Sequence, residues 1–189
     1  NKDSLIEPLW SLKKVSVLND IDKCLAKRNT FQGFNKSIQN RVNQIIVQNV
    51  KPNDLVIDAT IGNGHDSAFI LSLIPNGHLY GFDIQESAIT NTKKILKGNN
   101  YTLFNISHEY MLDTLKLENK ISLIIFNLGY LPNSDKKIKT NYKSTIKAIE
   151  DSLKLLNNKG IILITVYPGH KEGLEESIKI NEFLKDINH

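Results

Sequence analysis

Between two apolar runs, Leu55-Val56-Ile57 and Ala68-Phe69-Ile70-Leu71, the chain carries Asp58-Ala59-Thr60-Ile61-Gly62-Asn63-Gly64-His65-Asp66. The first run, opened by Asp54, reads as a strand buried on both faces, and the second, opened by Ser67, reads as a helix. Strand, glycine turn and helix in that order make a ligand-binding layout. Gly62 and Gly64 can take backbone angles closed to other residues and leave no side chain between the main chain and a ligand. The helix behind them aims unpaired N–H groups and its positive end at the same place. A Gly-x-Gly pair alone is a weak signal, because a tight turn with no ligand uses the same residues.

Two acids sharpen it. Asp58 ends the strand four residues before Gly62, where a carboxylate would repel a pyrophosphate but suits a cation. Dinucleotide-binding turns put their first glycine almost directly after the strand and want a third small residue on the helix side, here Ser67. Asp83 ends a second predicted strand, His78-Leu79-Tyr80-Gly81-Phe82, roughly 20 residues on, where a carboxylate accepts both hydroxyls of a ribose. A sulfonium nucleoside, S-adenosylmethionine, satisfies both acids.

At 189 residues the chain holds one domain with a proper core and a short appendage. A formal net charge of +4 permits nucleic-acid binding without demanding it. Cys24 is the only cysteine, which excludes an internal disulfide and a cysteine-based metal site. The sequence has no apolar stretch of about 18 residues and no signal-peptide pattern, so the expected location is cytoplasmic. It opens on Asn1 rather than methionine, which suggests a fragment or a processed chain.

Residues 1–35 read as an N-terminal extension, with short helices expected around Leu5–Leu12 and Val15–Leu25. Residues 36–189 read as the main domain. Ile38, Val42, Ile45 and Ile46 mark one face of a helix that stops before Pro52. A helix over 87–96, with Ala88, Thr92 and Ile95 inward, follows the second strand. Tyr101–Phe104 is a short third strand, Met111–Leu117 a helix, and Ile121–Phe126 a central strand. A helix over 144–157 closed by Gly160, a fifth strand at Ile161–Val166 and a last helix at Glu175–Leu184 complete the alternation. Strands alternating with helices imply right-handed crossovers and an open, mostly parallel sheet covered on both faces, with ligands beyond the carboxyl ends of the strands. Asp58, Asp83, Asn127 and Tyr167 all fall at those ends.

Asn127-Leu128-Gly129-Tyr130-Leu131-Pro132 stands where a methyl acceptor would lie. It looks like a relative of the Asn-Pro-Pro-Tyr motif of amino-methylating enzymes, in which the Asn oxygen accepts hydrogen bonds from the attacking amine and the aromatic ring stacks on the base. Acceptors fixed around the amine hydrogens aim its lone pair at the methyl group. The plainer alternative is a strand end whose Asn satisfies backbone groups and whose Tyr is core. Lys136, Lys137, Lys139 and Lys143 form a basic loop nearby, either a solvated surface or a phosphate-gripping edge for RNA. His65, His108 and His170 lack the carboxylate spacing of a metal site, so no metal is expected.

Asp58-Ala59-Thr60-x-Gly62-Asn63-Gly64-His65-Asp66, Gly81-Phe82-Asp83-Ile84-Gln85, Asn127-Leu128-Gly129-Tyr130-Leu131-Pro132 and Tyr167-x-Gly169-His170-x-x-Gly173 together resemble one family of class I methyltransferases, long labelled putative rRNA methylase. The resemblance runs from about Ile38 to the C-terminus. It implies a Rossmann-like class I methyltransferase fold, S-adenosylmethionine as cofactor, and tRNA as partner. The implied reaction converts wobble 5-aminomethyl-2-thiouridine to its 5-methylaminomethyl form. It assigns cofactor binding to Asp58, Thr60, Gly62, Asn63, Gly64, Asp66, Asp83, Gln85, His108 and Asn127. Catalysis falls to Asn127, Tyr130 and Asp135, and substrate binding to Tyr130, Lys136, Tyr167 and His170. This sequence departs from the family at Ile106-Ser107-His108-Glu109, where Asp-Gly-His-Glu is usual, so the acid that often meets the adenine amine is absent. Its Ser134-Asp135-Lys136 and Asn141-Tyr142-Lys143-Ser144-Thr145 replace Gly-Asp-Lys and Lys-Pro-Asp-Thr-Thr. The fold's final strands are expected to be missing, giving a C-terminally truncated domain. The alternatives are an adenine-amine methyltransferase acting on rRNA or DNA and a non-catalytic cofactor-binding remnant.

Overall fold

The computed structural model describes residues 14–19, 31–128, 142–166 and 171–187. In chain order its elements are β1 (Lys14–Asn19), α1 (Phe31–Asn49), β2 (Leu55–Asp58), α2 (His65–Leu73), β3 (His78–Phe82), α3 (Glu86–Ile95), β4 (Tyr101–Phe104), a single 3-10 turn at His108–Tyr110, α4 (Met111–Leu115), β5 (Ile121–Leu128), α5 (Tyr142–Leu155), β6 (Leu156–Val166) and α6 (Lys171–Ile187). All described strands form one parallel sheet in the order β1-β6-β5-β2-β3-β4. The chain leaves β2 toward β3 and β4 on one side and resumes with β5 and β6 on the other, so β2 and β5 flank the switch point at which such sheets bind ligands.

The two-residue period of a strand sorts its side chains to two cores. Val56, Leu123, Ile125, Ile161 and Leu163 pack with Val42 and Ile46 of α1 and Ile70 and Leu71 of α2. Ile57, Ile124, Phe126, Ile162 and Ile164 pack on the opposite face with Met111 of α4, Ile149 of α5 and Ile180 of α6. Both faces are apolar, which is why these strands read as continuous hydrophobic runs rather than as alternating ones.

Four local expectations are corrected. Lys14–Asn19 is not helical but a strand paired in parallel with β6, Lys14 opposite Ile161 and Asn19 opposite Val166. Its Val-Ser-Val alternation serves a sheet edge, and the neighbouring β6 supplies the backbone partners a lone helix would not need. The inner face of α3 is Ala88, Ile89 and Thr92, continued by Leu96, while Ile95 is 38 % exposed. Gly160 does not close α5, which ends at Leu155. It lies buried inside β6, at the irregularity where the register jumps from Ile121 opposite Leu156 to Leu123 opposite Ile161. A Cβ there would stand 2.8 Å from the Ile121 carbonyl oxygen, so the close approach of β5 demands glycine. Finally, β5 runs on to Leu128, which puts Asn127 inside the strand, opposite Thr165, rather than in the loop beyond it.

Candidate active site

The segment after β2 is laced to both neighbouring strands. The Ala59 N–H donates to the Ile125 carbonyl at 2.9 Å and the Ile61 N–H to the Phe82 carbonyl at 3.1 Å. Gly62, at φ 54°, donates its N–H to Asp83 Oδ2 at 2.9 Å. Gly64, at φ 77°, caps α2. Its missing Cβ is also a packing requirement, because that atom would lie 2.6 Å from Thr92 Oγ1 on α3. The two glycines therefore have separate tasks. Gly62 turns its N–H onto the acid, and Gly64 lets the turn sit on the next helix.

Asp83 follows β3 as expected and is half-buried. Its Oδ1 accepts the Gln85 N–H at 2.9 Å and its Oδ2 the Gly62 N–H. Each oxygen keeps a lone pair, so an oriented carboxylate with capacity for two further donors stands at the strand end. Ile84 beside it is 49 % exposed, a large apolar side chain left open next to a polar anchor. The sequence reading missed it, although an isoleucine directly after a strand-ending acid was visible as an apolar residue with no core position to fill.

Asp58 ends β2, where the sequence puts it. At 1 % exposure it sits beneath the turn, its Oδ2 accepting from Ser67 Oγ at 2.6 Å and its Oδ1 from the Thr60 N–H at 3.2 Å. Burial, reinforced by the nearby Asp66 charge, pushes its carboxyl up to about 7. The acid thus organises the turn from inside. Thr60 accepts the Asn127 N–H on its Oγ1 at 2.7 Å, which ties the turn to β5.

Asn127 has the strand parity of Leu123 and Ile125 and so faces the α1 and α2 side. There its Nδ2 donates to Asp66 Oδ2 at 3.3 Å, while Asp66 Oδ1 accepts from Gln39 Nε2 at 2.7 Å. Asp66 is therefore engaged with two protein amides. His108 belongs to the other face, edge-on to Phe126 at 5.7 Å, with Nδ1 3.1 Å from the Ala59 carbonyl. A carbonyl only accepts, so Nδ1 carries the proton and Nε2 is left as an acceptor, buried without a partner among the described residues. Burial lowers the pKa of this imidazole, which keeps it neutral. Tyr130, Asp135, Lys136, Tyr167 and His170 lie outside the described residues. A cavity of about 580 Å³ lined by Lys51, Asp54, Asn119, Ser122, Asn157 and Lys159 opens at the starts of β2 and β5, the opposite end of the sheet from these groups.

A parallel sheet with a glycine turn at its switch point, an anchored acid after the next strand and an Asn across the switch defines the class I methyltransferase fold. The chain belongs to the Putative rRNA methylase family, whose model matches residues 79–189. A "putative rRNA-methylase" from Clostridium thermocellum superposes with a TM-score of 0.73 at 39 % identity, over 78 % of this chain and 81 % of that one. A "putative methyltransferase" from Streptococcus mutans, solved in complex with SAH, gives a TM-score of 0.67 at 31 % identity, over 78 % and 80 %. The tRNA (mnm(5)s(2)U34)-methyltransferase, chloroplastic, of Arabidopsis thaliana is 33 % identical over 149 residues, 72 % of this chain and 54 % of its own length. The Ribosomal RNA small subunit methyltransferase H of Mycoplasma mobile is 39 % identical over 85 residues, 43 % of this chain and 28 % of its own. The chain thus spans about half, or less, of the length of these curated relatives.

Proposed function

We propose that this chain is an S-adenosylmethionine-dependent RNA N-methyltransferase acting on the amine of a tRNA wobble 5-aminomethyl-2-thiouridine. The observation that carries the reading is the junction across the switch point. The turn that would hold the cofactor and the strand that would hold the acceptor are bonded directly, Thr60 Oγ1 to the Asn127 N–H at 2.7 Å. The residues present fit the cofactor: Asp83 retains acceptor capacity for ribose hydroxyls, Ile84 offers an apolar surface beside it, and the turn presents main chain without side chains. The Streptococcus mutans relative, solved with SAH, supports the same ligand here. The Arabidopsis relative, which matches more of this chain than the ribosomal RNA methyltransferase does, supports the wobble uridine.

The cofactor, when bound, supplies an electrophilic methyl group on a positive sulfur. The work of the protein is to position and to select charge. Asp58 puts a buried carboxyl beneath the turn, where a cation favours its ionised form. Asn127 accepts hydrogens of the neutral amine and aims its lone pair, while Tyr130 stacks on the base. Only a neutral amine has that lone pair, and burial together with the Lys136 charge favours it. Orientation of this kind acts in the transition state and so raises kcat rather than affinity. None of the described helices is long and apolar enough to cross a membrane, and the proposed partner is RNA.

Mass spectrometry of nucleosides tests the proposal, after incubation of the protein with methyl-labelled cofactor and tRNA carrying the aminomethyl uridine. The expected product is labelled 5-methylaminomethyl-2-thiouridine. Similarity to the small-subunit rRNA methyltransferases favours a second reading, rRNA methylation. Label incorporated into rRNA and not tRNA would decide for it, and no label in either would overturn both.

A further inference from the structure

Asn127 is an amide whose two ends have nearly the same shape and opposite hydrogen-bonding character. Only its carbonyl oxygen can receive a hydrogen from an amine; turned about, the side chain would present N–H groups, which oppose the amine hydrogens or occupy the lone pair needed for attack. The orientation is therefore a functional variable, and one neighbour decides it. Asp66 Oδ2 lies 3.3 Å from the Asn127 amide, and a carboxylate accepts hydrogen bonds but cannot donate them, so the group facing it is the NH2. Asn127 Oδ1 is then turned away from Asp66 and takes no hydrogen bond from the described residues.

Asp66 is itself held. Its Oδ1 accepts from Gln39 Nε2 at 2.7 Å, and that same Gln39 nitrogen donates to Asn43 Oδ1 at 3.1 Å, one helical turn along α1. It sits in the first turn of α2, where an acid is well placed against the positive end of the helix. The Asn127 main chain is fastened separately through Thr60. A chain of amide, carboxylate and amide from α1 through α2 to β5 therefore controls how Asn127 is turned.

We propose that Asp66 is a positioning residue that locks the Asn127 amide with its oxygen toward the substrate amine. This rests on the reading of Asn127 as the amine acceptor, and it places Asp66 on the acceptor side of the site.

The test is a double-mutant cycle on the whole chain, with single-turnover methylation of aminomethyl-uridine tRNA and calorimetric binding of S-adenosylhomocysteine. Asp66→Ala is expected to lower the methylation rate about 10-fold to 100-fold, the cost of a misaligned reactant, with cofactor affinity and KM for tRNA unchanged. In an Asn127→Ala background Asp66→Ala should cost nothing more, because its effect runs through Asn127. Asp66→Asn keeps the shape but offers an NH2 as well as an oxygen, so it no longer dictates how Asn127 is turned; its rate should fall between those of Asp66→Ala and wild type, and it covers the case in which Asp66→Ala fails to fold. Loss of S-adenosylhomocysteine binding in Asp66→Asn would overturn the proposal and return Asp66 to the cofactor. Equal rate losses from Asp66→Ala with and without Asn127 would overturn it too. Should Asn127→Ala leave the rate unchanged, the acceptor reading itself fails. A slow Asn127→Ala beside a fully active Asp66→Ala defeats only the positioning role.

Discussion

Asp58→Asn isolates the cost of burying a charge beneath the glycine turn. The carboxyl stands at about 7 in the folded protein against an ordinary value of 3.8, because burial and then the Asp66 charge disfavour its ionised form. Folded protein therefore holds this proton more tightly than unfolded chain does. Stability from the group is complete below the unfolded value and is lost as pH rises through the folded one. A gap of roughly three pH units at about 1.4 kcal/mol each amounts to about 4 kcal/mol across the whole range. Integrated only from about pH 5 to about pH 8, it leaves about 2 to 3 kcal/mol. Asparagine keeps the shape and one acceptor for Ser67 Oγ or the Thr60 N–H, but has no proton to release. Urea unfolding of both proteins at the two pH values gives a difference of differences in which the other titrating groups cancel. Wild type should lose about 2 to 3 kcal/mol more than the variant on going to the higher pH. Parallel stability profiles would refute the argument, since they would mean that Asp58 ionises in the fold as easily as in water.

Asp83→Ala removes the acceptor of two backbone N–H groups and of the proposed ribose hydroxyls, and calorimetry should show S-adenosylhomocysteine binding weakened by about 1 to 3 kcal/mol. Unchanged affinity would take Asp83 out of the ribose site. Gly64→Ala combines a left-handed φ of 77° with a Cβ 2.6 Å from Thr92 Oγ1, and denaturant unfolding should show a loss of about 1 to 3 kcal/mol. Replacing Lys136, Lys137, Lys139 and Lys143 by Ala should raise KM for tRNA and flatten its salt dependence, with S-adenosylhomocysteine affinity intact. Lys143 stands in the first turn of α5 rather than in a loop, and an unaltered salt slope would make these lysines a solvated surface.

Much of the architecture was legible in the residue order, because it depends on local patterns. The runs at 55–57 and 123–126 are continuous and apolar, as strands covered on both faces must be, those at 78–82 and 101–104 are mostly apolar, and Gly62, Gly64 and Asp83 stand at fixed short distances from them. What escaped was whatever depends on a partner distant in sequence. The Lys14–Asn19 stretch is too short to declare its state, and β6, some 140 residues later, decides it by offering a row of backbone groups. Gly160 looks like a helix stop until the Ile121 carbonyl is brought against it. Asp58 is an acid at a strand end in either view, but only the closure of Ser67 and Thr60 over it shows that it is buried and hard to ionise. Asp66 is the sharpest case. Its contact with Asn127 is invisible in the turn motif, because the sequence carries no sign that strand parity turns Asn127, 61 residues away, onto the same side of the sheet. Patterns of period two and three to four, and the glycines that punctuate them, are properties of the chain alone. Which polar atoms meet is set by packing two helices and two strands against one another, and that only the tertiary structure determines.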